Sequence, residues 1–145
     1  MFSKVSFFLL RVSLGWIFFY AGITKIFNSQ WSAEGLLREA SSLRPFFQWF
    51  AHENVLPLTN FVNEWGLTLL GISLILGVGI RLSFIPGIIL MFLYYLLRLD
   101  FPYPNPQSFI VDQHIVYIFS LLVLGSFKAG RYWGLDGKIK IKFLN

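Results

Sequence analysis

At 145 residues, 56% of them hydrophobic and 19% aromatic against 13% charged, the chain is more apolar than an ordinary soluble domain, so one compact bilayer domain is expected. The net charge of +5 would suit nucleic acid in a soluble protein, but here the cations flank apolar runs as membrane topology requires, and nucleic acid is excluded as a partner. No cysteine is present, which removes disulfides, thiolate metal sites and dithiol chemistry, so any redox role falls to a bound cofactor or to another subunit.

Four spans are predicted, at residues 5–27, 58–79, 82–99 and 109–127, each near the ~20 residues that cross ~30 Å of hydrocarbon. No small-residue cleavage site follows the first run, so it reads as a retained anchor and not as a removable signal peptide. Lys4, Arg81, Lys128, Arg131, Lys138, Lys140 and Lys142 gather on the face shared by both termini and the second-to-third turn. The opposite loops carry Arg38 and Arg44, offset by Glu34, Glu39 and Glu53. The bias of Lys and Arg toward the inner face then places both termini in the cytoplasm. The tail at 128–145, with Lys138, Lys140 and Lys142 alternating with apolar residues, is expected to anchor to anionic lipid.

The loop at 28–57 carries its own pattern. Ser32 is expected to cap a helix with Leu36, Leu37, Ala40 and Leu43 on one side and Glu34, Arg38 and Glu39 on the other, before Pro45 ends or restarts it. Phe46, Phe47, Trp49 and Phe50 follow, a ring-rich run that suits the headgroup boundary. The segment is expected to lie flat on the membrane, either as an interfacial anchor or as a lid over a site at the outer ends of the spans.

Charges inside apolar runs need partners. Lys25, Glu64, Arg98, Asp112 and His114 all fall in one depth zone near the outer face. Two cations, two carboxylates and an imidazole can neutralise one another within a bundle, whereas an unpaired charge there would cost several kcal/mol. On the first span Arg11, Gly15, Gly22 and Lys25 share a stripe, and on the second Asn60, Glu64, Thr68 and Gly71 do the same, so both stripes want a protein neighbour. Gly66, Gly77, Gly79 and Gly87 offer further close approaches. Pro86 is expected to be tolerated because its missing N–H falls in the first turn of the third span.

The run Arg11-Val12-Ser13-Leu14-Gly15, then Tyr20 to Lys25, Glu64, Leu76 to Leu82, Asp112-Gln113-His114 and Gly130-Arg131-Tyr132-Trp133-Gly134-Leu135-Asp136 resembles the DoxX/DoxD family of small membrane proteins. The resemblance, which covers nearly the whole chain except the outer loop, implies an all-α, four-transmembrane-helix bundle in the prokaryotic cytoplasmic membrane; the interfacial helical loop between the first and second spans rests on the loop's own pattern. The DoxD branch is similar to the membrane subunit of thiosulfate:quinone oxidoreductase, so the resemblance also implies a quinone-linked subunit.

Two functions from different classes fit these residues. In the first, a subunit of a quinone-linked oxidoreductase uses Glu64, Asp112 and His114 as catalytic groups, while Lys25, Arg98, Tyr20, Trp65 and Tyr117 bind the quinone or a small anion such as thiosulfate. No covalently bound cofactor is expected, and quinone is the cofactor that the cluster suits. In the second, the protein is a non-catalytic structural or assembly subunit whose charges form ion pairs that set helix register. Partners in either case are the bilayer and other membrane subunits or further copies of the chain.

Haem ligation by His52 and His114 and a metal site of Glu64, Asp112 and His114 rank below both, so no metal is expected. A solute carrier also ranks lower, for want of an inverted repeat or a full-depth polar stripe. Arg11 is expected to snorkel toward lipid phosphate or a helix end or, in a functional reading, to meet Asp136 or a quinone ring edge, and Arg131 to pair with Asp136 across Gly134, the ion pairs being structural. Trp133 is expected at the interface.

Overall fold

Glycine decides how the long helices of the computed structural model, which describes residues 2–138, meet one another. Helix α1 (Phe2–Phe27) lies along α4 (Leu56–Leu76) with backbone close to backbone. A Cβ on Gly15 would stand 2.9 Å from the Ile75 nitrogen, and one on Gly22 would stand 2.8 Å from the Glu64 carbonyl oxygen. Neither distance leaves room for a side chain, so the small stripes of the two helices are each other's neighbours.

The second pair follows the same rule. Helices α5 (Ile80–Arg98) and α6 (Gln113–Ser126) meet where Gly125 receives the Phe84 ring, and Gly87 of α5 receives Leu70 of α4 and Leu121 of α6. Leu14, Phe18, Leu70, Leu74, Ile80 and Leu121 close a core between the four helices. Their outer faces present Leu9, Ile17, Leu69, Ile89, Phe92 and Phe119. Such an apolar exterior suits a hydrocarbon solvent and is a liability in water. Among the described residues, α1 and α5 have the length and apolarity to cross a membrane; α6 is apolar but only 14 residues long.

The connections depart from the expected boundaries in instructive ways. The residues at 109–112 do not belong to the fourth helix. Ile110 has φ of 58°, and Asp112 is the N-cap of α6, its carboxylate accepting from the N–H groups of His114 at 2.9 Å and Ile115 at 3.3 Å. Pro86 also sits deeper than expected, because α5 begins at Ile80 and the proline therefore removes the bond that would have reached the Leu82 carbonyl.

The loop forms two short helices, α2 (Glu34–Arg38) and α3 (Arg44–Phe50), with the four long helices numbered around them. Ser32 is not the cap: that position belongs to Ala33, although the Ser32 hydroxyl accepts from the Glu34 N–H at 3.2 Å. Leu43, with φ of 48°, breaks the run, and Pro45 stands in the first turn of α3. The break divides the expected apolar face, so Leu37, Ala40 and Phe47 are buried with Leu97 while Leu36, Leu43, Phe46 and Trp49 stay exposed. The alternating Lys tail beyond residue 138 lies outside the described residues.

Candidate functional site

Two ends of the bundle carry polar chemistry, and they are built differently. At the loop end, α2 and α3 roof a cavity of about 260 Å³ over α4 and α5, walled by Trp31, Phe47, Trp49, Leu90, Tyr94 and Leu97 among others. The roof is tied down by hydrogen bonds from the Ala33 N–H to Asn60 Oδ1 at 2.9 Å and from the Thr59 hydroxyl to the Phe50 carbonyl at 3.2 Å. A third tie runs from the Ser42 hydroxyl to the Leu99 carbonyl.

One polar chain reaches this apolar space. Lys25 Nζ donates to the Tyr94 hydroxyl at 2.8 Å, the Tyr94 hydroxyl donates to Asn63 Oδ1, and Asn63 Nδ2 donates to the Thr59 carbonyl at 3.1 Å. The ammonium also stands 4.6 Å from the centroid of Trp31 and 5.3 Å from that of Tyr94, where ring quadrupoles stabilise a cation. The chain continues by stacking. Tyr94 lies parallel to the His114 ring at 5.8 Å, and His114 Nδ1 meets Asp112 Oδ2 at 2.6 Å with both residues buried. Tyr117 presents its edge to the same imidazole at 6.3 Å.

Lys25, Asp112, His114 and Tyr117 are therefore brought near one another, with Asp112 and His114 in direct contact and Lys25 joined to them through Tyr94 and not through an ion pair of its own. No ion pair within 4 Å joins Lys25 to Glu64 among the described residues; the bond goes to Tyr94, which is anchored by the neighbouring Asn63. Arg98 is exposed and lines a separate polar groove. Tyr20, 60% exposed, stacks on Trp16, and Trp65, 42% exposed, packs against Phe61; neither lines the cavity. Among the described residues no group of three or more His, Asp or Glu side chains is placed to hold a metal ion.

Residues that sequence reasoning missed carry the centre of the site. Asn63 and Tyr94 were visible as polar atoms inside apolar runs, but Glu64 beside the first drew attention by its charge. Trp31 belongs to a loop whose position over α5 no local pattern specifies.

At the opposite end, Arg11 is fully buried and does not snorkel out. Its Nη2 donates to the Trp133 carbonyl at 3.4 Å, while Nε and Nη1 have no hydrogen-bond partner. The guanidinium lies in a slot that exists because Gly77 and Gly134 lack side chains: a Cβ on Gly77 would overlap it. The Asp136 carboxylate accepts from the Gly79 N–H at 2.8 Å and the Ile80 N–H at 3.4 Å, capping α5. No ion pair within 4 Å links Asp136 to Arg11 or to the exposed Arg131 among the described residues. The backbone N–H groups take the carboxylate that the two arginines were expected to share. Trp133 is exposed, its ring edge-on to Phe8 at 5.5 Å.

Comparison with curated proteins and with solved structures returns no match. A model of the DoxX family matches residues 6–98, a stretch that holds Arg11, Lys25, Asn63, Glu64, Gly77 and Tyr94 and also the loop, and that stops before Asp112 and His114. Because that match covers more than half of the chain and the helices it spans pack on its glycines, the chain belongs to the DoxX family of membrane proteins.

Proposed function

We propose that this DoxX protein is an integral membrane subunit of a quinone-linked oxidoreductase, crossing the prokaryotic cytoplasmic membrane four times with both termini in the cytoplasm. The observation that carries the reading is the roofed apolar cavity with one polar patch, made by Tyr94 and Asn63 and backed by Lys25. A quinone ring is a flat apolar body with carbonyl acceptors, and a largely apolar pocket with a few placed donors is what such a ligand needs. The cavity accommodates the ring, and the isoprenoid tail runs out into lipid.

Reduction of a quinone takes up two electrons and two protons. The Lys25 ammonium, one hydroxyl behind the cavity wall, is the proton source nearest to it, and the Asp112–His114 pair lies behind the Tyr94 ring. With no cysteine in the chain, the electrons come from a partner subunit. Thiosulfate is the ultimate donor that the DoxD resemblance implies.

The test uses Trp31 and Trp49, which line the cavity. Protein reconstituted in quinone-free nanodiscs is titrated with a short-tailed quinone, and tryptophan fluorescence is read. The second Nδ2–H of Asn63 is free to meet a quinone carbonyl and Tyr94 holds that amide in place, so saturable quenching is expected, with affinity about tenfold weaker in Asn63→Leu for loss of a hydrogen bond in an apolar site and weakened also in Tyr94→Phe. Quenching that never saturates, or that is unchanged in both variants, removes the proposal.

One observation favours a structural subunit instead: both buried carboxylates, Asp112 and Asp136, are engaged in capping helices. Purification with a stoichiometric partner that carries a redox centre, and with no quinone bound to this chain, would select that reading.

A further inference from the structure

Beside the apolar cavity lies a second space, a groove of about 450 Å³ whose lining mixes charged and apolar side chains. Glu39, which follows α2, Arg98 at the end of α5, and Asp100 and Asn105 in the α5–α6 connection all face it. Its far wall is held by backbone bonds. The Asp100 N–H donates to the Tyr103 carbonyl at 3.0 Å, the Tyr103 N–H returns to the Asp100 carbonyl at 2.6 Å, and Asn105 Oδ1 accepts from the Gln107 N–H at 3.0 Å.

The charges in this groove do not pair with one another. No ion pair within 4 Å joins Arg98 to Glu39 or to Asp100 among the described residues, although all three line one space. One guanidinium against two carboxylates gives no net attraction for a simple oxyanion. Separated opposite charges instead match a ligand that carries both signs: a guanidinium fork suits phosphate oxygens, and carboxylates suit an ammonium group.

The rim adds a second requirement. The exposed Leu36 and the buried Leu97 line both the groove and the apolar cavity, so a molecule whose head fills the groove has an apolar edge beside it. We infer that the groove is the headgroup site of a zwitterionic amine–phosphate phospholipid, with phosphate on Arg98, ammonium on Glu39 and Asp100, and the start of a chain over Leu36 and Leu97. This inference does not rest on the quinone reading, and it places the groove at the lipid–water boundary.

The probes are phosphatidylethanolamine and phosphatidylglycerol, offered as an equimolar mixture to the full-length protein and read by native mass spectrometry of the lipid retained. Preferential retention of phosphatidylethanolamine is expected, falling about tenfold in Arg98→Gln and in the Glu39→Gln/Asp100→Asn double variant, the size of one lost charge-assisted hydrogen bond. Because all three side chains are exposed, unchanged thermal melts are expected to accompany the loss. Equal retention of the two lipids, or retention unaltered in the variants, overturns the inference. Soluble O-phosphoethanolamine forms the second arm. Its binding to delipidated protein, lost in the same variants but with no preferential retention of phosphatidylethanolamine, would overturn the bilayer as the source of the ligand. Lipid retention and quinone quenching are separate readouts, so either proposal can fail alone.

Discussion

Arg11 and Lys25 stand on one stripe of the same helix, yet the molecule treats them in opposite ways. Arg11 is sealed against glycine backbone with two of its nitrogens unbonded, whereas Lys25 is wrapped by two aromatic rings and donates to a phenol that faces a cavity. A buried cation sealed against glycine backbone holds the fold together. A cation that backs the wall of a cavity, one hydroxyl away from it, can act on a ligand. The contrast shows that charge in an apolar run marks a constraint, and that the space beside the charge decides what the constraint is for.

Four substitutions test this contrast. Gly77→Ala has the largest expected effect: φ is 67° there and the added methyl overlaps the Arg11 guanidinium, so a loss of about 3 kcal/mol or more is expected. Thermal denaturation in detergent reads it. Adding Arg11→Ala to Gly77→Ala should restore part of that loss, because the overlap is shared between the two residues. Absence of coupling would mean that the slot is not what holds Arg11.

Asp136→Ala comes next. It removes the carboxylate that caps α5, and a loss of about 1–2 kcal/mol is expected in the same melt. An unchanged melt would show that the Gly77–Gly79 turn holds its shape without the cap.

Lys25→Met is expected to be the mildest for stability. Replacing a partly buried cation by an apolar side chain of similar reach gives up ring contacts worth about 1 kcal/mol but also ends a desolvation cost. Stability should fall by less than about 1 kcal/mol while quinone quenching weakens. A melt as damaged as that of Gly77→Ala would place Lys25 among the residues that hold the fold and erase the difference between the two ends.

Much of this architecture was legible beforehand because it is periodic. The helices appear close to where apolar length and Pro/Gly punctuation put them, and the small stripes of α1 and α4 do face one another. What misled was local chemistry at the boundaries. Asp112 looked like a charge inside a span, but a carboxylate that accepts two backbone N–H bonds starts a helix, and the left-handed Ile110 just before it keeps the helix from beginning earlier. Glu64 looked like the natural partner of Lys25, yet the bond is made to Tyr94, far away in sequence and silent in any charge count.

Membrane class, helical composition and the stripes along which α1 and α4 meet can be read from residue order, since they follow from hydrophobicity and residue size, properties that each segment carries alone. That Arg11 is sealed and Lys25 backs a cavity, that α2 and α3 form a roof, and that Glu39, Arg98 and Asp100 share a groove emerges from the folded chain alone. The physical reason is that empty space belongs to no residue: a cavity exists only where segments distant in the chain fail to fill the gap between them.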